Sequence, residues 1–489
     1  MKLSKLISEI DVEEVIGNSD IEIKEVKIDS NSVCEGCLFI ALKGKEFDGN
    51  SFINQAEKYG AIAVVTENRQ NTDLTQIIVK DSRKAMAKIA KIFYGKPDEK
   101  LKIIGVVGTN GKTTTAHLIY QVLNNNSKKC GLIGTLGTFY NNVYIESDLT
   151  TPDPLVLYKL LRDMVNNGIE YVAMEVSAHA IALNKIDDIN FEIGVFTNCT
   201  QDHLDFFENM EKYKAVKKKF FVDNRCKYKV VNVDDELGKE IVEEKEKVIS
   251  YGIENPSDVF AIDIIEKQNY TQYVINLFDC IYEIKSSLIG RFNVYNAMGC
   301  ATACALLGVK TNDIVNALIN ANLVSGRMER IDIPNMNIFV DYAHTPDGIK
   351  STLSALKKIC KGNLICVMGC GGNRDKEKRA VMGAICAELA DFTIITSDNP
   401  RFEEPMDIIS DIEVGVLEKT DKYLIVQDRA EAIKHALSFS KEDDVVLIAG
   451  KGSEKHQEVL GIKKLYNDKD TIIETYKKMR RKQNWKTKF

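Results

Sequence analysis

Residues 108–115, GTNGKTTT, are of the types that hold a nucleotide phosphate, and they follow an apolar, strand-like run. Glycine N–H groups can converge on phosphate where a helix begins, while a lysine and a hydroxyl serve the γ-phosphate and Mg²⁺. The common loop has four residues between its first glycine and the Gly-Lys-Ser/Thr end. Here Gly105 lies one position too early and Gly108 two positions too late. We therefore predict a shortened ATP-binding loop, in which Lys112 reaches the β/γ-phosphates and Thr113 binds the metal.

Phosphoryl transfer also needs an acidic metal ligand. Glu175 ends the apolar run YVAMEV, where the carboxylate of a nucleotide-binding sheet is expected. His203, in NCTQDHLDF, follows the next strand-like run, and a neutral imidazole there could bind a second metal. A lone histidine is more often structural, so the spacing alone leaves both interpretations of His203 open.

The pattern of apolar runs predicts the α/β scaffold that would position these residues. Residues 1–98 contain short runs such as CLFIAL and AIAVVT between helical stretches, and the turn-rich YGKPDEK marks their end. Strands that end in polar residues then alternate with helices, which indicates a parallel sheet covered by helices. Period-two runs at 258–289 predict a small antiparallel addition, and the alternation restarts near residue 328. Because ligands gather at the carboxyl ends of parallel strands, we expect a site in a cleft between two such domains.

Composition excludes some classes of protein and favours a cytoplasmic enzyme. The chain has 489 residues, 28% of them charged, with a net charge of −6, which gives no general attraction to nucleic acid or anionic membranes. No apolar run approaches the length of a membrane span, and the first residues lack the apolar region of a signal peptide. Twelve scattered cysteines indicate free thiols. Cys34 and Cys37 form a single C-x-x-C, for which two small residues flanking a turn is a better interpretation than a zinc or redox site.

Seven motifs together resemble the Mur ligase family. They occur in the family's order: GTNGKTTT, AMEVSAHA, FTNCTQDHLD, GRFNVYNA, GRMERI, DYAHTPD and SDNPR. The N-terminal DSNSVCEGCLFIALKGKEFDGNSFINQA is similar to the UDP-sugar-binding domain of the members that add the third residue of the peptidoglycan stem peptide. The resemblance therefore covers essentially the whole chain.

This resemblance implies three domains and a reaction. The domains would be a UDP-sugar-binding domain at 1–98, a central ATP-binding domain with a P-loop parallel sheet at 99–326, and a Rossmann-like, amino-acid-binding domain at 327–489. ATP would phosphorylate the D-Glu side-chain carboxylate of UDP-MurNAc-L-Ala-D-Glu, and the amine of an amino acid would displace phosphate from the acyl phosphate. Mg²⁺ and Lys112 would screen the repulsion between carboxylate and γ-phosphate.

Matching the family's motifs also assigns roles to individual residues. Catalytic roles fall to Lys112, Glu175, His203, Lys217 and Arg327. ATP contacts would be Gly108, Thr109, Asn110, Gly111, Lys112, Thr113, Thr114, Asn296, Arg327 and Asp341. The sugar nucleotide would contact Ser30, Thr150, Thr151, Ser177 and Lys185. Metal ligands would be Thr113, Glu175, His203 and Lys217, the last as a carbamate; without the resemblance Lys217 is one of several lysines on a charged helix.

The motif SDNPR resembles that of members using meso-diaminopimelate. This amino acid has a second, distal carboxylate that Arg401 could bind bidentately, whereas lysine would leave that guanidinium unpaired. The other matching positions are Arg374, Asp398, Asn399, Pro400, Gly450 and Glu454. Two positions depart from the family: Ser453 stands where histidine is common, and Lys185 where arginine is usual. Ligation of L-lysine or another amino acid is the alternative.

Two further interpretations compete with a Mur ligase. A folylpolyglutamate synthetase-like ligase shares the phosphate loop but normally lacks the N-terminal domain seen here as DSNSVCEGCLF. A regulatory nucleotide-binding relative without turnover is a different class of protein. The retention of Lys112, Glu175, His203 and Lys217 argues against it, because degenerate relatives tend to lose such groups.

Overall fold

The computed structural model describes residues 1–44, 48–223, 225–243 and 247–486. Its first part is built around a sheet of order β1-β5-β4-β3-β2, in which only β1 is antiparallel to its neighbour. The elements are α1 (Leu3–Leu6), β1 (Val12–Ile16), β2 (Glu25–Lys27), β3 (Cys37–Ile40), α2 (Ile53–Lys58), β4 (Ala61–Thr66), β5 (Thr75–Val79) and α3 (Ser82–Phe93). Helix α3 begins where the Asp81 carboxylate accepts the N–H groups of Arg83 and Lys84.

The middle of the chain alternates strands and helices. Its elements are β6 (Lys102–Val107), α4 (Lys112–Asn125), β7 (Cys130–Gly134), β8 (Gly137–Tyr140), β9 (Val143–Ile145), α5 (Pro154–Asn166), β10 (Tyr171–Val176), α6 (Ala178–Ala182), β11 (Phe191–Phe196), α7 (Leu204–Phe207), α8 (Met210–Val222), β12 (Cys226–Asn232), α9 (Glu236–Val242), β13 (Val248–Gly252), β14 (Val259–Glu266), β15 (Thr271–Leu277), β16 (Cys280–Ser286), α10 (Arg291–Leu306) and α11 (Thr311–Ile319). Strands β6, β10 and β7 are parallel, and almost every residue in them is buried, as expected for strands covered on both faces.

The last part is a second α/β region. It contains β17 (Glu329–Ile331), β18 (Asn337–Asp341), α12 (Pro346–Ile359), β19 (Leu364–Met368), α13 (Glu377–Leu389), β20 (Phe392–Ile395), α14 (Pro405–Leu417), β21 (Tyr423–Ile425), α15 (Arg429–Phe439), β22 (Val445–Ala449), β23 (His456–Val459), β24 (Ile462–Leu465) and α16 (Asp468–Lys486). Its sheet has the order β17-β18-β22-β19-β20-β21, parallel except for β17, and clusters of buried apolar side chains cover both faces.

The prediction of an α/β fold is confirmed, and so is the antiparallel addition at 258–289. Strands β14, β15 and β16 pair antiparallel, and β15 alternates buried and half-buried residues along its length. The chain divides into two compact units. The first comprises residues 1–107, 127–195 and 216–229; the second comprises 108–126, 196–215 and the residues from 230 onward. Within the ranges described, no helix combines the length and apolarity that crossing a membrane requires.

Candidate active site

The phosphate-loop residues adopt a compact turn before α4. Gly111 has φ +84°, and a Cβ added there would lie 2.4 Å from Asn296 Oδ1. A Cβ on Gly108 would lie 1.8 Å from Thr197 Oγ1. The Thr109 N–H donates to the Asn198 carbonyl oxygen over 2.9 Å. Neither position can hold a larger residue, because Asn296 and Thr197 lie too close to the loop for a Cβ to fit. The hydrogen bond to Asn198, which follows β11, stabilises the conformation of the loop.

Two side chains at the beginning of α4 are already engaged with their surroundings. Lys112 Nζ donates to the carbonyl oxygens of Gly108 and Thr109, each over 2.8 Å, so the ammonium lies directly on the loop. Thr113 is buried, and its Oγ1 accepts a hydrogen bond from Arg327 Nη2 over 2.9 Å. A cation and a hydroxyl thus stand at a helix N-terminus, which is the arrangement that phosphate and a hard cation require.

Arg327 and Asp341, predicted ATP residues, lie close to the same region of the second unit. The Arg327 guanidinium stacks 4.2 Å from the centroid of the Tyr342 ring. Burial raises the pKa of Asp341, against the opposing effects of the Met328 N–H and the Arg327 charge. Asp341 accepts the backbone N–H groups of Met328 and Ala343. Its carboxylate therefore fixes the chain around Arg327.

Asn296, one of the predicted ATP contacts, is buried within α10. Its Oδ1 accepts a hydrogen bond from Thr115 Oγ1 over 3.3 Å, and its Nδ2 donates to Asn293 Oδ1 over 3.0 Å. Asn296 and the phosphate loop are therefore adjacent, as the Gly111 contact also requires. Asn296 lies inside α10 rather than at its beginning, so it does not cap the helix.

Glu175 lies at the end of β10 in the first unit and has no exposed surface. Its Oε1 accepts the Thr135 N–H over 2.8 Å, and its Oε2 accepts Thr135 Oγ1 over 3.2 Å. Thr135 Oγ1 also lies 3.1 Å from Thr150 Oγ1. A Cβ on Gly134 would lie 2.2 Å from Glu175 Oε1, so this carboxylate needs a glycine beside it.

Three of the predicted sugar-nucleotide residues surround the same strand end. Thr151 Oγ1 donates to the Glu175 carbonyl oxygen over 2.9 Å and accepts the Ser177 N–H over 3.0 Å. Lys185, by contrast, pairs with Asp153, Nζ to Oδ1 over 2.7 Å. The structure thus brings Thr150, Thr151, Ser177 and Glu175 together. Thr135 and Asp153 are neighbours that the sequence analysis missed.

Ser30 lies in the five-stranded sheet region, in a short 3₁₀ turn, and is buried. Its hydroxyl donates to Gln55 Oε1 over 3.3 Å, and Gln55 Nε2 donates to Asn31 Oδ1 over 3.0 Å. These polar groups form a local network around Ser30. Gln55 and Asn31 were not singled out from the sequence, since neither belongs to a recognisable motif.

His203 lies in the second unit with φ +56°, and its Nε2 is 3.2 Å from Asp202 Oδ2. Burial tends to raise the pKa of Asp202, but the hydrogen bond from His344 and the charges of His203 and Lys378 hold it well below its usual range. Lys378 Nζ lies 3.6 Å from Asp202 Oδ1. Asp202 therefore organises three basic side chains, two of which the sequence analysis missed.

Lys217 differs from the other lysines of α8 in its burial. It has no exposed surface, whereas Lys212 and Lys219 are exposed and Lys214 and Lys218 are half-buried. Without the family resemblance, Lys217 would be taken for one of several exposed lysines on a charged helix, and that interpretation is wrong. Among the side chains that the structure describes, no three from His, Cys, Asp and Glu form a metal-binding group; a carbamylated lysine lies outside that set of residue types.

The amino-acid residues predicted from SDNPR and AGKGSE converge in the second unit. Asn399 Nδ2 donates to Glu454 Oε2 over 2.8 Å, and a Cβ on Gly450 would lie 2.7 Å from Asp398 Oδ2. Lys451, fully buried, donates to Asn399 Oδ1 over 2.8 Å and to Glu454 Oε2 over 2.7 Å. Loops that follow β20 and β22 are therefore tied together by side-chain contacts, with Lys451 as a participant that the sequence analysis missed.

Arg401 is held in an unusual conformation in the same region. Its φ is +50°, its Nη1 donates to the Gly372 carbonyl oxygen over 2.7 Å, and its Nε lies 3.4 Å from Glu458 Oε2. The Arg401 N–H donates to the Glu458 carbonyl oxygen over 3.1 Å, which ties it to β23. Arg374, in contrast, is exposed, and Pro400 is buried. The hairpin β23–β24 thus fixes the position of Arg401.

Comparison with known proteins identifies the class to which this fold and these loops belong. Three family models match: "Mur ligase family, catalytic domain" at residues 22–94, "Mur ligase middle domain" at 106–304, and "Mur ligase, glutamate ligase domain" at 326–452. The chain belongs to the Mur ligase family.

Individual relatives match over nearly the full length. Proteins from Clostridioides difficile and Caldanaerobacter subterraneus, each named UDP-N-acetylmuramoyl-L-alanyl-D-glutamate–2,6-diaminopimelate ligase, are both 41% identical to the chain. The match to the Clostridioides difficile protein covers 98% of this chain and 100% of that protein. The match to the Caldanaerobacter subterraneus protein covers 94% of this chain and 96% of that protein. A solved structure of a protein of the same name is 28% identical, with a TM-score of 0.70, covering 98% of this chain and 99% of that one.

Proposed function

We propose that this protein is an ATP-dependent ligase that joins meso-diaminopimelate to the D-Glu side-chain carboxylate of UDP-MurNAc-L-Ala-D-Glu. The proposal rests above all on the 41% identity with the Clostridioides difficile protein over 98% of this chain. A carboxylate is a poor electrophile, so ATP first converts it to an acyl phosphate. The amine of the incoming amino acid then attacks the acyl carbon, and phosphate leaves. The product is a peptidoglycan precursor, made in the cytoplasm.

ATP binds at the beginning of α4. Backbone N–H groups of the loop receive the phosphates. Gly108 and Gly111 let the loop pack against Thr197 and Asn296, where a Cβ would clash. Lys112 leaves the carbonyl oxygens of Gly108 and Thr109 to meet the β/γ-phosphates, because phosphate oxygens are stronger acceptors for an ammonium than carbonyl groups. Arg327 stabilises the charge of the transferring phosphoryl group. The remaining ATP contacts are Thr109, Asn110, Thr114, Asn296 and Asp341.

Mg²⁺ fits the donors that these residues offer, since it prefers oxygen ligands. Thr113 supplies a hydroxyl and Glu175 a carboxylate, both of them buried. His203 and carbamylated Lys217 serve a second ion. When bound, the metal screens the repulsion between the substrate carboxylate and the γ-phosphate. Lys217 has no exposed surface, and this burial, which sets it apart from the other lysines of α8, supports its assignment as the carbamylated residue.

The sugar nucleotide and its peptide contact Ser30, Thr150, Thr151, Ser177 and Lys185. Lys185 is oriented by its ion pair with Asp153. As a point charge, it makes a less directional contact than the arginine usual in the family. The local hydrogen bonds support this assignment. Thr135 links the Thr150 hydroxyl to the Glu175 carboxylate, and the Thr151 hydroxyl bonds the Glu175 carbonyl oxygen and the Ser177 hydroxyl.

The amino acid is bound by the loops around Arg401. The Arg401 guanidinium binds the distal carboxylate of meso-diaminopimelate, and the Glu454 carboxylate accepts hydrogen bonds from its distal ammonium. Arg374, Asp398, Asn399, Pro400 and Gly450 complete the pocket. Lysine lacks the distal carboxylate and would leave Arg401 with only the Gly372 carbonyl oxygen and the Glu458 carboxylate as partners. We also propose the division into domains at 1–98, 99–326 and 327–489.

Phosphate release by the purified protein tests the function. With ATP, Mg²⁺ and bicarbonate, we expect turnover only when UDP-MurNAc-dipeptide and meso-diaminopimelate are both present, with mass spectrometry identifying the tripeptide. L-Lysine in parallel reactions tests the alternative substrate. ATP binding without turnover on any substrate pair would instead establish the regulatory relative.

A further inference from the structure

A pair of cysteines near β3 has no role in the proposed ligation. The Sγ atoms of Cys34 and Cys37 lie 3.0 Å apart. Cys34 is exposed, while Cys37 is buried. Two thiols at this distance are closer than ordinary van der Waals contact and need only a small movement to reach bonding distance. One of them can be reached directly from solvent.

The backbone between the two cysteines forms an anchored turn. The Cys37 N–H donates to the Cys34 carbonyl oxygen over 3.2 Å, and Gly36 has φ +82°. The Gly36 N–H donates to the Gly60 carbonyl oxygen, and the Gly36 carbonyl oxygen accepts the Lys24 N–H, each over 2.9 Å. The prediction of a turn between the cysteines is confirmed. Because the turn is fixed to neighbouring segments on both sides, the two sulfur atoms are held together.

Other cysteine pairs in the structure lack one of these properties. Cys300 and Cys304 have their Sγ atoms 4.0 Å apart, and Cys366 and Cys386 have theirs 3.9 Å apart. All four side chains are buried. Cys280 is exposed but lies on β16 with no other cysteine beside it in the described ranges. Exposure and a close sulfur neighbour coincide at Cys34.

We propose that Cys34 and Cys37 are a redox-active thiol pair that forms a reversible disulfide by exchange with a low-molecular-weight disulfide. The Cys34 thiolate attacks one sulfur of that disulfide, whose S–S bond breaks, and one small thiolate leaves with the pair of bonding electrons. Cys37 Sγ then loses its proton to solvent and attacks Cys34 Sγ. The bond between Cys34 and the small molecule breaks, and the second small thiolate leaves and takes a proton from solvent. The protein pair loses two electrons and two protons, and the small disulfide becomes two thiols.

The different environments of the two cysteines set the order of these steps. Burial raises the pKa of the Cys37 thiol to about 11, so this cysteine is protonated at neutral pH. The thiolate is the nucleophile in exchange, and access is required for the first attack. Cys34 therefore reacts first. Cys37 acts second, when its proximity to the mixed disulfide compensates for its low thiolate fraction.

Tryptic mapping of the full-length protein tests this proposal. Cleavage after Lys27 and Lys43 yields peptide 28–43, which contains both cysteines and no other, and peptide 268–285 contains Cys280 alone. The protein is equilibrated with mixtures of reduced and oxidised glutathione, quenched in acid and alkylated. We expect peptide 28–43 to lose two hydrogen atoms as the oxidised fraction rises, and to regain them with dithiothreitol. Peptide 268–285 should instead carry a glutathione adduct.

Two variants test whether Cys37 resolves the mixed disulfide that forms on Cys34, or whether Cys34 is modified only because it is exposed. Cys37→Ser should accumulate glutathione on Cys34, because nothing displaces it. Cys34→Ser should leave Cys37 as a free thiol under the same conditions. A persistent adduct on Cys34 in the unaltered protein would overturn the proposal. So would two free thiols in peptide 28–43 at a glutathione ratio that already modifies Cys280.

Discussion

Arg327 Nη2 lies 2.9 Å from Thr113 Oγ1, so the residue proposed to stabilise phosphoryl charge is bonded to the residue proposed to bind the metal. The Arg327 guanidinium also stacks on Tyr342, which restricts its orientation. A planar, oriented guanidinium can meet two phosphate oxygens at once, whereas an ammonium cannot. The contact therefore calls for a guanidinium at position 327 and not merely for a positive charge.

Arg327→Lys should keep the positive charge and lose the fork geometry. We expect kcat for phosphate release to fall by roughly 10²–10³-fold, the range typical of removing one group that stabilises developing charge. The KM for ATP should change much less, since Lys112 and the loop remain. Arg330→Lys is the matched control, because Arg330 contacts Asn269 and Asn337 instead. Equal losses in both variants would contradict a specific role for Arg327.

Arg401→Ala should weaken binding of meso-diaminopimelate and leave ATP binding unchanged. Loss of a bidentate charge-assisted contact corresponds to roughly 2–3 kcal/mol, or about 30–150-fold in KM for the amino acid. Steady-state kinetics with each substrate varied in turn measures both constants. If the KM for ATP rises as much as that for diaminopimelate, Arg401 is not the residue that binds the distal carboxylate.

Lys451→Met should misplace Glu454, because the buried ammonium bonds both Glu454 and Asn399. We expect the KM for diaminopimelate to rise by about tenfold, and Glu454→Gln to have a related effect. Substitutions within one hydrogen-bonded network do not have additive effects. The double variant should therefore lose less binding free energy for diaminopimelate than the sum of the losses in the two single variants. Full additivity would mean that Lys451 acts independently of Glu454.

The phosphate loop illustrates what could be predicted from the sequence. Gly108, Gly111, Lys112 and Thr113 lie within six consecutive positions, and local spacing alone indicates a strand, a loop and a helix. Their partners Asn198 and Arg327 are distant in the chain, so no local pattern pairs them with the loop. Contacts of that kind depend on tertiary packing.

The loop around Arg401 shows the same limit. The motif SDNPR was recognised, but the φ of +50° at Arg401 and its link to β23 come from a hairpin that follows a different strand. Strand β24 has four exposed residues and no apolar alternation, so the period-two pattern that revealed β14–β16 was missing there. Lys451 was overlooked because its burial is a tertiary property, which no local sequence pattern indicates.

Stability should depend on pH through Glu403. Bidentate hydrogen bonds from Arg379, with the Asn373 N–H, lower the pKa of Glu403 to about 2 from its ordinary value of 4.5. Ionised Glu403 therefore stabilises the folded chain above pH 4.5, and this contribution is lost as the pH falls toward 2. Allowing for its partial exposure, the contribution is about 2 kcal/mol.

Thermal unfolding of Glu403→Gln, followed by circular dichroism, measures this contribution. Its Tm should lie below that of the unaltered protein at pH 7, and the difference should shrink as the pH falls below 4.5. Glu404→Gln is the control, since this neighbouring carboxylate is exposed. A difference that stays constant from pH 7 to pH 3 would contradict the role of the ionised carboxylate.

Lys217→Ala should nearly abolish ligation if the side chain serves as a carbamate. Carbamylation converts a cation into a carboxylate-like ligand, so a short carboxylic acid such as acetate, diffusing into the space left by the side chain, should restore part of the activity. Lys219, on the same helix, is exposed, so Lys219→Ala should keep normal activity.

After incubation with ¹³C-bicarbonate, nuclear magnetic resonance should detect a carbamate carbon in the unaltered protein and in Lys219→Ala. The signal should be missing from Lys217→Ala. If that signal survives the substitution, the carbamate is on another residue; if the variant folds normally, as judged by its Tm, and remains active, Lys217 is not a metal ligand at all.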